Sequence, residues 1–456
     1  MSGEITRREV LKRGLIAAAG LSVAPAVIAA CNSVTPSPTP TPVPSKPAPT
    51  PGPAVTLSHN YVALADSAYR DAIAAIDTAV EAATGMAVAA RPRESVFGDE
   101  IQPYLQGGPN GGPDDLTFWY PGFRMRFFVQ KGLIAPIDDV WSRVSANYTA
   151  AFATAVTGDD GHVYGVPIAC QPWLFFYRRS VWAAKGYKVP TTWTELLALC
   201  SRMKKDKLNP IAFGDKDGWP ALFTFDMLNL RLNGYDFHTG LMAGNEKWTD
   251  ARVTSVFRTW ARLAPFYTPG SAGLIWQEAR NSLLRKTAGM YYSGSFLTDT
   301  VDVPDRPALT DLDCFPFPYF GNAFDAERAV EAPVDVLVAC SKSPTLGADL
   351  SSAGAYLEFW ASGSTQMLWR KANPEIIPPA SDVDTTQLDS LGQKAASTLG
   401  GAQRIAHGMD RDIRPEMAGP SGMQNFLLIF LKNPTVDTTD LQARIQAFQD
   451  ALPTYS

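Results

Sequence analysis

Apolar residues recur at helical spacing from Asp66 onward. Tyr69, Ile73, Ile76 and Val80 stand 4, 3 and 4 residues apart, and Gly85 ends the run. Such spacing stacks side chains on one face of a helix. Short apolar runs flank it and read as strands, Ala54–Ser58 before and Met86–Ala90 after. Ser95–Leu105 carries a second helical pattern, interrupted by Pro103. The turn cluster Gly107–Asp114 follows, then a third strand, Asp115–Trp119, and a helix, Phe123–Lys131, stopped by Gly132. This alternation predicts a parallel sheet with helices on both faces. Such sheets bind ligands at the carboxyl ends of their strands. The loops at those ends are His59–Tyr61, Arg91–Phe97 and Trp119–Pro121.

The texture changes near Gly165. Tyr164–Tyr177 is one long extended run, read as a strand crossing from a first lobe to a second. Helical patterns follow at Thr194–Lys205, Pro220–Leu232, Ala251–Leu263 and Trp276–Lys286. Gly289–Gly294 reads as a short strand, Val334–Cys340 as a strand returning to the first lobe, and Leu350–Ala361 as a helix. The tail from Ala380 is largely helical. Crossings are expected at Ala169–Pro172, Phe315–Pro318 and Asn373–Pro378. The expected division is 54–169 plus 318–374 for lobe 1, and 170–317 plus 375–456 for lobe 2. No internal repeat is present.

Ahead of the globular pattern stands an export leader. Thr6-Arg7-Arg8-Glu9-Val10-Leu11-Lys12 is a twin-arginine run, and the apolar stretch Gly14–Ala30 closes on small residues before Cys31. Those small residues resemble the lipobox of bacterial lipoproteins, which implies lipidation of Cys31 after cleavage at residue 30. Val34–Pro53 is a Pro, Thr and Ser tract. Its prolines fix φ and donate no hydrogen bond, so it reads as an extended tether rather than part of a core. The expected protein is extracytoplasmic and lipid-anchored to the cell membrane.

Composition narrows the classes. At 46% hydrophobic and 19% charged residues the chain is globular, with a net charge of −5 that becomes more negative once the basic leader is removed. A mildly acidic chain lacks the footprint of a nucleic-acid binder. Cys170, Cys200, Cys314 and Cys340 sit in apolar surroundings with no C-x-x-C pair and read as buried free thiols. The four histidines, His59, His162, His238 and His407, form no metal-ligand spacing. Neither metal nor cofactor is expected.

Several segments, in their order and spacing, resemble the family 1 extracellular solute-binding proteins, the maltose-binding-protein-like receptors of carbohydrate ABC importers. Gly112-Pro-Asp-Asp-Leu116 precedes the third strand. Gly132-Leu-Ile-Ala-Pro-Ile-Asp138, Tyr164-Gly-Val-Pro167, Phe176-Tyr177-Arg178 and Pro190-Thr-Thr-Trp-Thr-Glu-Leu196 follow, then Lys286-Thr-Ala-Gly-Met290 with Ser293-Gly-Ser-Phe296. The chain departs from the family where Phe296 stands in place of Trp, and where Ala332–Asp335 lacks a Gly pair. The resemblance implies an α/β, two-lobed periplasmic-binding-protein-like fold of class II. Each lobe would be a mostly parallel sheet flanked by helices, joined by a multi-crossing hinge. It implies a monomeric receptor that closes over a carbohydrate and delivers it to membrane permease subunits.

Sugar chemistry suits the residues near the expected cleft. A sugar ring has apolar C–H faces and an equator of hydroxyls, so a binder needs aromatic platforms with amide and carboxylate partners. Trp119, Tyr120, Trp173, Trp219, Tyr292 and Phe296 are the candidate platforms, with Tyr61 and Phe97 in neighbouring loops. Asn60, Asp115, Gln171, Asp217, Ser293 and Asp335 are the candidate polar contacts. For each aromatic the competing fate is core packing, and Trp141, Trp193, Trp260 and Trp369 on helical patterns are assigned to the core. Asp215–Gly218 reads as a turn rather than a calcium loop. Two other functions are set against the receptor. A glycoside hydrolase needs two carboxylates across one cleft, and no pair is marked among Glu94, Asp99, Glu100, Asp114 and Asp115. A ferric-iron receptor would use paired tyrosines such as Tyr291-Tyr292.

Overall fold

The computed structural model describes residues 56–62, 67–93, 101–107, 112–299, 301, 303–346, 350–434 and 437–453. The leader, Cys31, the Pro-rich tract and Phe97 lie outside them. The opening strand–helix alternation is present: β1 (Thr56–Val62), a helix over Ser67–Thr84, β2 (Ala87–Arg93) and β3 (Leu116–Trp119). β1 runs parallel to both β2 and β3. The helix buries Ile73, Ile76 and Val80 completely, and Gly85 ends it at φ 72°, where a Cβ would be strained. The remaining strands are β4 (Ile134–Ala135), β5 (Val166–Cys170), β6 (Trp173–Arg178), β7 (Asn209–Ala212), β8 (Ala288–Gly294), β9 (Leu312–Phe315), β10 (Val330–Glu331), β11 (Val334–Cys340) and β12 (Ile405–Ala406).

Two sheets result. The first has the order β2-β1-β3-β11-β4, with β5 also paired to β11, and the second has the order β7-β8-β6-β9. β10 and β12 form a small parallel pair. Both sheets are mixed. β11 runs antiparallel to β3, β4 and β5, and β6 runs antiparallel to β8 and β9. A strand that re-enters the first sheet from the second arrives against the direction of the strands that left it.

The expected single run over Tyr164–Tyr177 is two strands, β5 and β6, broken at Gln171-Pro172. Every residue of both is buried. Side chains of β6 alternate between two cores. Leu174 and Phe176 join one shared with the first sheet, while Trp173, Phe175 and Tyr177 join the other, on the far face. Burial on both faces explains why the sequence shows continuous apolar residues there rather than alternation. Tail helices Met423–Lys432 and Thr438–Ala451 add Phe426, Leu427, Phe430, Leu441 and Ile445 to the far core.

Three crossing segments lie side by side. Cys170 and Ile377 exchange backbone hydrogen bonds of 3.0 and 2.8 Å, and Gln171 N donates to Pro333 O at 2.9 Å. Two of the segments expected to cross, Ala169–Pro172 and Asn373–Pro378, are thus paired with each other. Ala332–Pro333 lies beside these two, whereas in the expected segment Phe315–Pro318 the Phe317 ring is buried in the far core, and Tyr319 just after it bonds to Thr191 and Trp193. The helix Trp193–Lys205 starts on a capping box: Glu195 N donates to Thr192 Oγ1 and Thr192 N to Glu195 Oε2. Cys170, Cys200, Cys314 and Cys340 are free and buried. No helix among the described residues is long and apolar enough to cross a membrane.

Candidate ligand-binding cavity

A cavity of about 200 Å³ opens at the carboxyl ends of β1 and β3. β1 delivers Asn60 and Val62 to it, and β3 delivers Phe118 and Trp119, followed by Tyr120. The crossing segments supply Gln171, Asp335, Asn373, Glu375 and Ile376. Tyr69 and Trp369 complete the wall, their rings meeting edge to face at 5.4 Å. Arg411 enters from a short helix, Met409–Asp412.

The polar groups are held from behind. Asn60 and Thr117 are register partners on β1 and β3, and the Thr117 hydroxyl donates to Asn60 Oδ1 at 3.0 Å. Asn60 Nδ2 donates to the Tyr104 hydroxyl at 2.7 Å, which donates in turn to Asp114 Oδ2 at 2.7 Å. Burial, above all, pushes the Tyr104 pKa up and keeps it a donor. The Arg411 guanidinium lies 4.0 Å from the centre of the Tyr120 ring, a cation–π contact. Its Nη1 donates to Asp335 Oδ1 and to Val334 O, each at 3.3 Å. Burial pushes the Asp335 pKa up while Arg411 opposes it. Glu375 is only 6% exposed. Its pKa is pushed up to about 7, chiefly by burial; Asp299 and Asp335 reinforce the shift, and Arg370 opposes it.

Five expected site residues therefore line one cavity: Asn60, Trp119, Tyr120, Gln171 and Asp335. A second group gathers elsewhere, on the second sheet. Trp173 is 2% exposed and stacks on Phe223 with centroids 4.0 Å apart and planes 8° apart. Trp219 and Phe296 pack against Trp173 at 6.1 and 5.9 Å, and Trp276 meets Phe296 at 5.2 Å. Tyr292 lies 5.4 Å from Trp173, and Ser293 is 1% exposed on the opposite face of β8. This group satisfies its apolar surface largely within itself.

Other expected contacts have structural partners. Tyr61 turns away from the cavity into the core, as strand alternation from Asn60 requires. Asp115 is saturated: Oδ2 accepts from Ser58 N and Oγ, and Oδ1 from Ser343 Oγ and Thr345 Oγ1. It ties β1 to the segment that follows β11. Asp217 is exposed on the turn Asp215–Gly218, closed by a 3.0 Å bond from Gly218 N to Asp215 O. Tyr291 and Tyr292 belong to opposite cores, so they do not form a paired-tyrosine metal site.

The sequence reading missed Val62, Tyr69, Phe118, Asn373, Glu375, Ile376 and Arg411, and placed Trp369 in the core alone. Asn373, Glu375 and Ile376 fall on the expected third crossing, which was the available signal. Arg411 sits in a charged stretch of the tail that nothing distinguishes from solvent-facing residues. A larger cleft of about 580 Å³ lies between the helices Phe123–Gln130 and Tyr235–Met242. It holds none of the expected site residues, and its walls are helix faces rather than strand ends.

A model of the bacterial extracellular solute-binding protein family matches residues 96–367. The fold aligns with the bacterial solute receptor AcbH at a TM-score of 0.79 and 32% identity, covering 87% of this chain and 99% of that one. That receptor is described as having an exclusive substrate preference for β-D-galactopyranose. An uncharacterised ABC transporter extracellular-binding protein of Pyrococcus horikoshii is 22% identical over 306 residues, 65% of this chain and 66% of its own. A probable sugar-binding periplasmic protein of Rhizobium meliloti is 24% identical over 235 residues, 48% of this chain and 54% of its own. The chain thus spans between about half and two thirds of the length of these relatives.

Proposed function

The chain belongs to the bacterial extracellular solute-binding protein family, a family of receptors rather than enzymes, and on that premise we propose that it captures a single sugar ring for an ABC importer. One observation carries the reading. The cavity at the strand ends pairs aromatic rings, from Trp119, Tyr120 and Trp369, with Asn60, Gln171, Asn373, Asp335 and Glu375. Ring faces accept C–H surface, while amides donate to and accept from hydroxyls and carboxylates accept from them. Its volume falls below the ~300–1,000 Å³ of pockets for drug-sized ligands, which favours a monosaccharide over a longer chain. The galactopyranose preference of AcbH makes a neutral hexose the first ligand to try.

In this reading the two sheets form the two lobes, with the expected division amended so that residues up to 331 stay with the second. Ligand draws the lobes together about the three crossings. The closed form docks on permease subunits. The twin-arginine leader exports the folded chain, and lipid on Cys31 holds it at the membrane.

Thermal-shift and calorimetric screening of the mature domain against monosaccharides tests the core of the reading. One neutral hexose is expected to raise the unfolding midpoint, by about 2.7 kcal/mol of stabilisation at a hundredfold excess over Kd. A folded protein that shifts with no mono- or oligosaccharide would sink it. Cys31→Ser is expected to release the protein from membranes, and equal fractionation of mutant and parent would refute the anchor.

A further inference from the structure

The cavity wall contains one cation among the described residues, Arg411, and two carboxylates, Asp335 and Glu375. Arg411 comes from the tail, far along the chain from the strands that form the other walls. Its helix is pinned in place. Met409 N donates to the buried Asp226 carboxylate at 2.5 Å, and His407 N donates to Asp412 Oδ2 at 3.0 Å. Gly122, at φ 74°, lets the loop after β3 press against this segment; a Cβ there would lie 2.0 Å from Asp412 Oδ1. The guanidinium is thus fixed over Tyr120 and beside Asp335 before any ligand arrives.

An arginine has five N–H groups in a planar fork suited to a carboxylate. Placed alone in a sugar cavity, it would favour acidic sugars over neutral ones. Here both side-chain bonds of Arg411 use Nη1, one to Asp335 and one to Val334 O. Asp335 already supplies the charge that a sugar acid would bring. Glu375 adds a second carboxylate to the same wall.

We propose that Asp335 is a specificity-determining counter-ion: by neutralising Arg411 inside the cavity, it reserves the site for uncharged sugars and turns away hexuronic acids. This rests on the reading of the cavity as a sugar site. The device is a repulsive element built beside an attractive one. Arg411 still donates to ligand hydroxyls, and Asp335 and Glu375 accept from them. The exclusion has a pH dependence carried by Glu375, which is faced by Asp335, Asp299 and Arg370. Above its pKa of about 7 it is charged and repels an anion; below, it is neutral.

The test is calorimetry at about pH 8 with D-galactose and D-glucose against D-galacturonate and D-glucuronate. The parent is expected to bind a neutral hexose at least about tenfold more tightly than the matching uronate, about one decade of affinity. Asp335→Asn keeps the shape and removes the charge. It is expected to gain about tenfold or more in uronate affinity while losing neutral-hexose affinity. Adding Arg411→Gln should abolish the gain. For the parent, uronate binding should strengthen from about pH 8 to about pH 6, and Glu375→Gln should remove that dependence. If the parent binds a hexose but a folded Asp335→Asn does not improve uronate binding, the counter-ion role is wrong and the cavity reading stands. A parent that prefers the uronate also overturns the proposal. Should Asp335→Asn not fold, Asp335→Ser takes its place in the series and decides. A parent that binds none of the four sugars removes the reading beneath.

Discussion

The cavity wall on the first sheet and the aromatic group on the second begin from the same kind of sequence, tryptophans and tyrosines at strand ends near a predicted cleft. Their environments differ. Around Tyr120 the cavity wall brings Asn60, Gln171, Asp335, Glu375 and Arg411, and space remains, while Trp119 behind it is 3% exposed and packs on Phe128. Around Trp173 the neighbours are Phe223, Trp219, Tyr292 and Phe296, with ring centroids 4.0 to 6.1 Å apart. Rings beside polar groups leave room for a solute with both kinds of surface. Rings beside rings fill one another's space and become core. What separates the fates is the company a ring keeps, which sequence position alone does not specify.

The sharpest way to break this contrast is Trp173→Ala. A buried, stacked indole should cost ~3–5 kcal/mol of stability on truncation. Chemical denaturation would measure it, and a loss under about 1 kcal/mol would return Trp173 to the ligand's side. Next comes Tyr120→Ala, a half-buried ring in the cavity wall. We expect sugar affinity to fall by tenfold or more, at ~1.4 kcal/mol per decade, with the fold still cooperative. Calorimetry paired with a melting curve separates the two effects, and unchanged affinity would displace the cavity.

A smaller effect should follow pH. Glu375, with a pKa of about 7, and Asp215, also raised to about 7 by burial, bind protons more tightly folded than unfolded. Their contribution to stability is present below the unfolded carboxylate range and is lost as pH rises through about 7. Buried His238, lowered to about 4, works the other way: its contribution is present above the unfolded histidine pKa and lost as pH falls. Glu375→Gln should therefore reduce the stability gained between about pH 8 and about pH 5 by ~1 kcal/mol or more. An unaltered profile in urea titrations would show that Glu375 is not desolvated. The least change belongs to Trp219→Ala. Trp219 is half-buried on the rim of the aromatic group, so ~1 kcal/mol or less of stability is expected. If this variant instead loses sugar affinity, the second group does reach the ligand on closure.

Much of the fold was legible because local chemistry agreed with it. The apolar spacing of Tyr69 to Val80, the Gly85 stop and the Thr192–Glu195 box each fix an element by themselves. The order of short motifs supplied the architecture. Phe-Pro-Phe-Pro looks extended wherever it stands, so its pattern does not tell a crossing from a strand end. Only Phe317 entering the far core reveals that the chain has not yet left. The cavity was half legible. Asn60, Trp119, Tyr120, Gln171 and Asp335 follow from the rule that ligands sit at strand ends. Asp115 follows the same rule but lies outside the cavity, bonded to Ser58 on β1 and to Ser343 and Thr345. Arg411 reaches the site through tertiary packing of a distant tail, and no local pattern encodes that.

The four free thiols turn the division of the cores into something chemistry can time. Cys170, Cys314 and Cys340 belong to the core that runs from the first sheet onto the near face of the second, and Cys200 to the core beyond it. Burial pushes their pKa values up, the first-order cause in each case, so none is a reactive thiolate in the native fold. An alkylating reagent reaches each only when its surroundings open, and its labelling rate then reports the local opening free energy. Because β9 shares a core with the first sheet, Cys314 should keep time with Cys170 and Cys340, with Cys200 running on a separate clock.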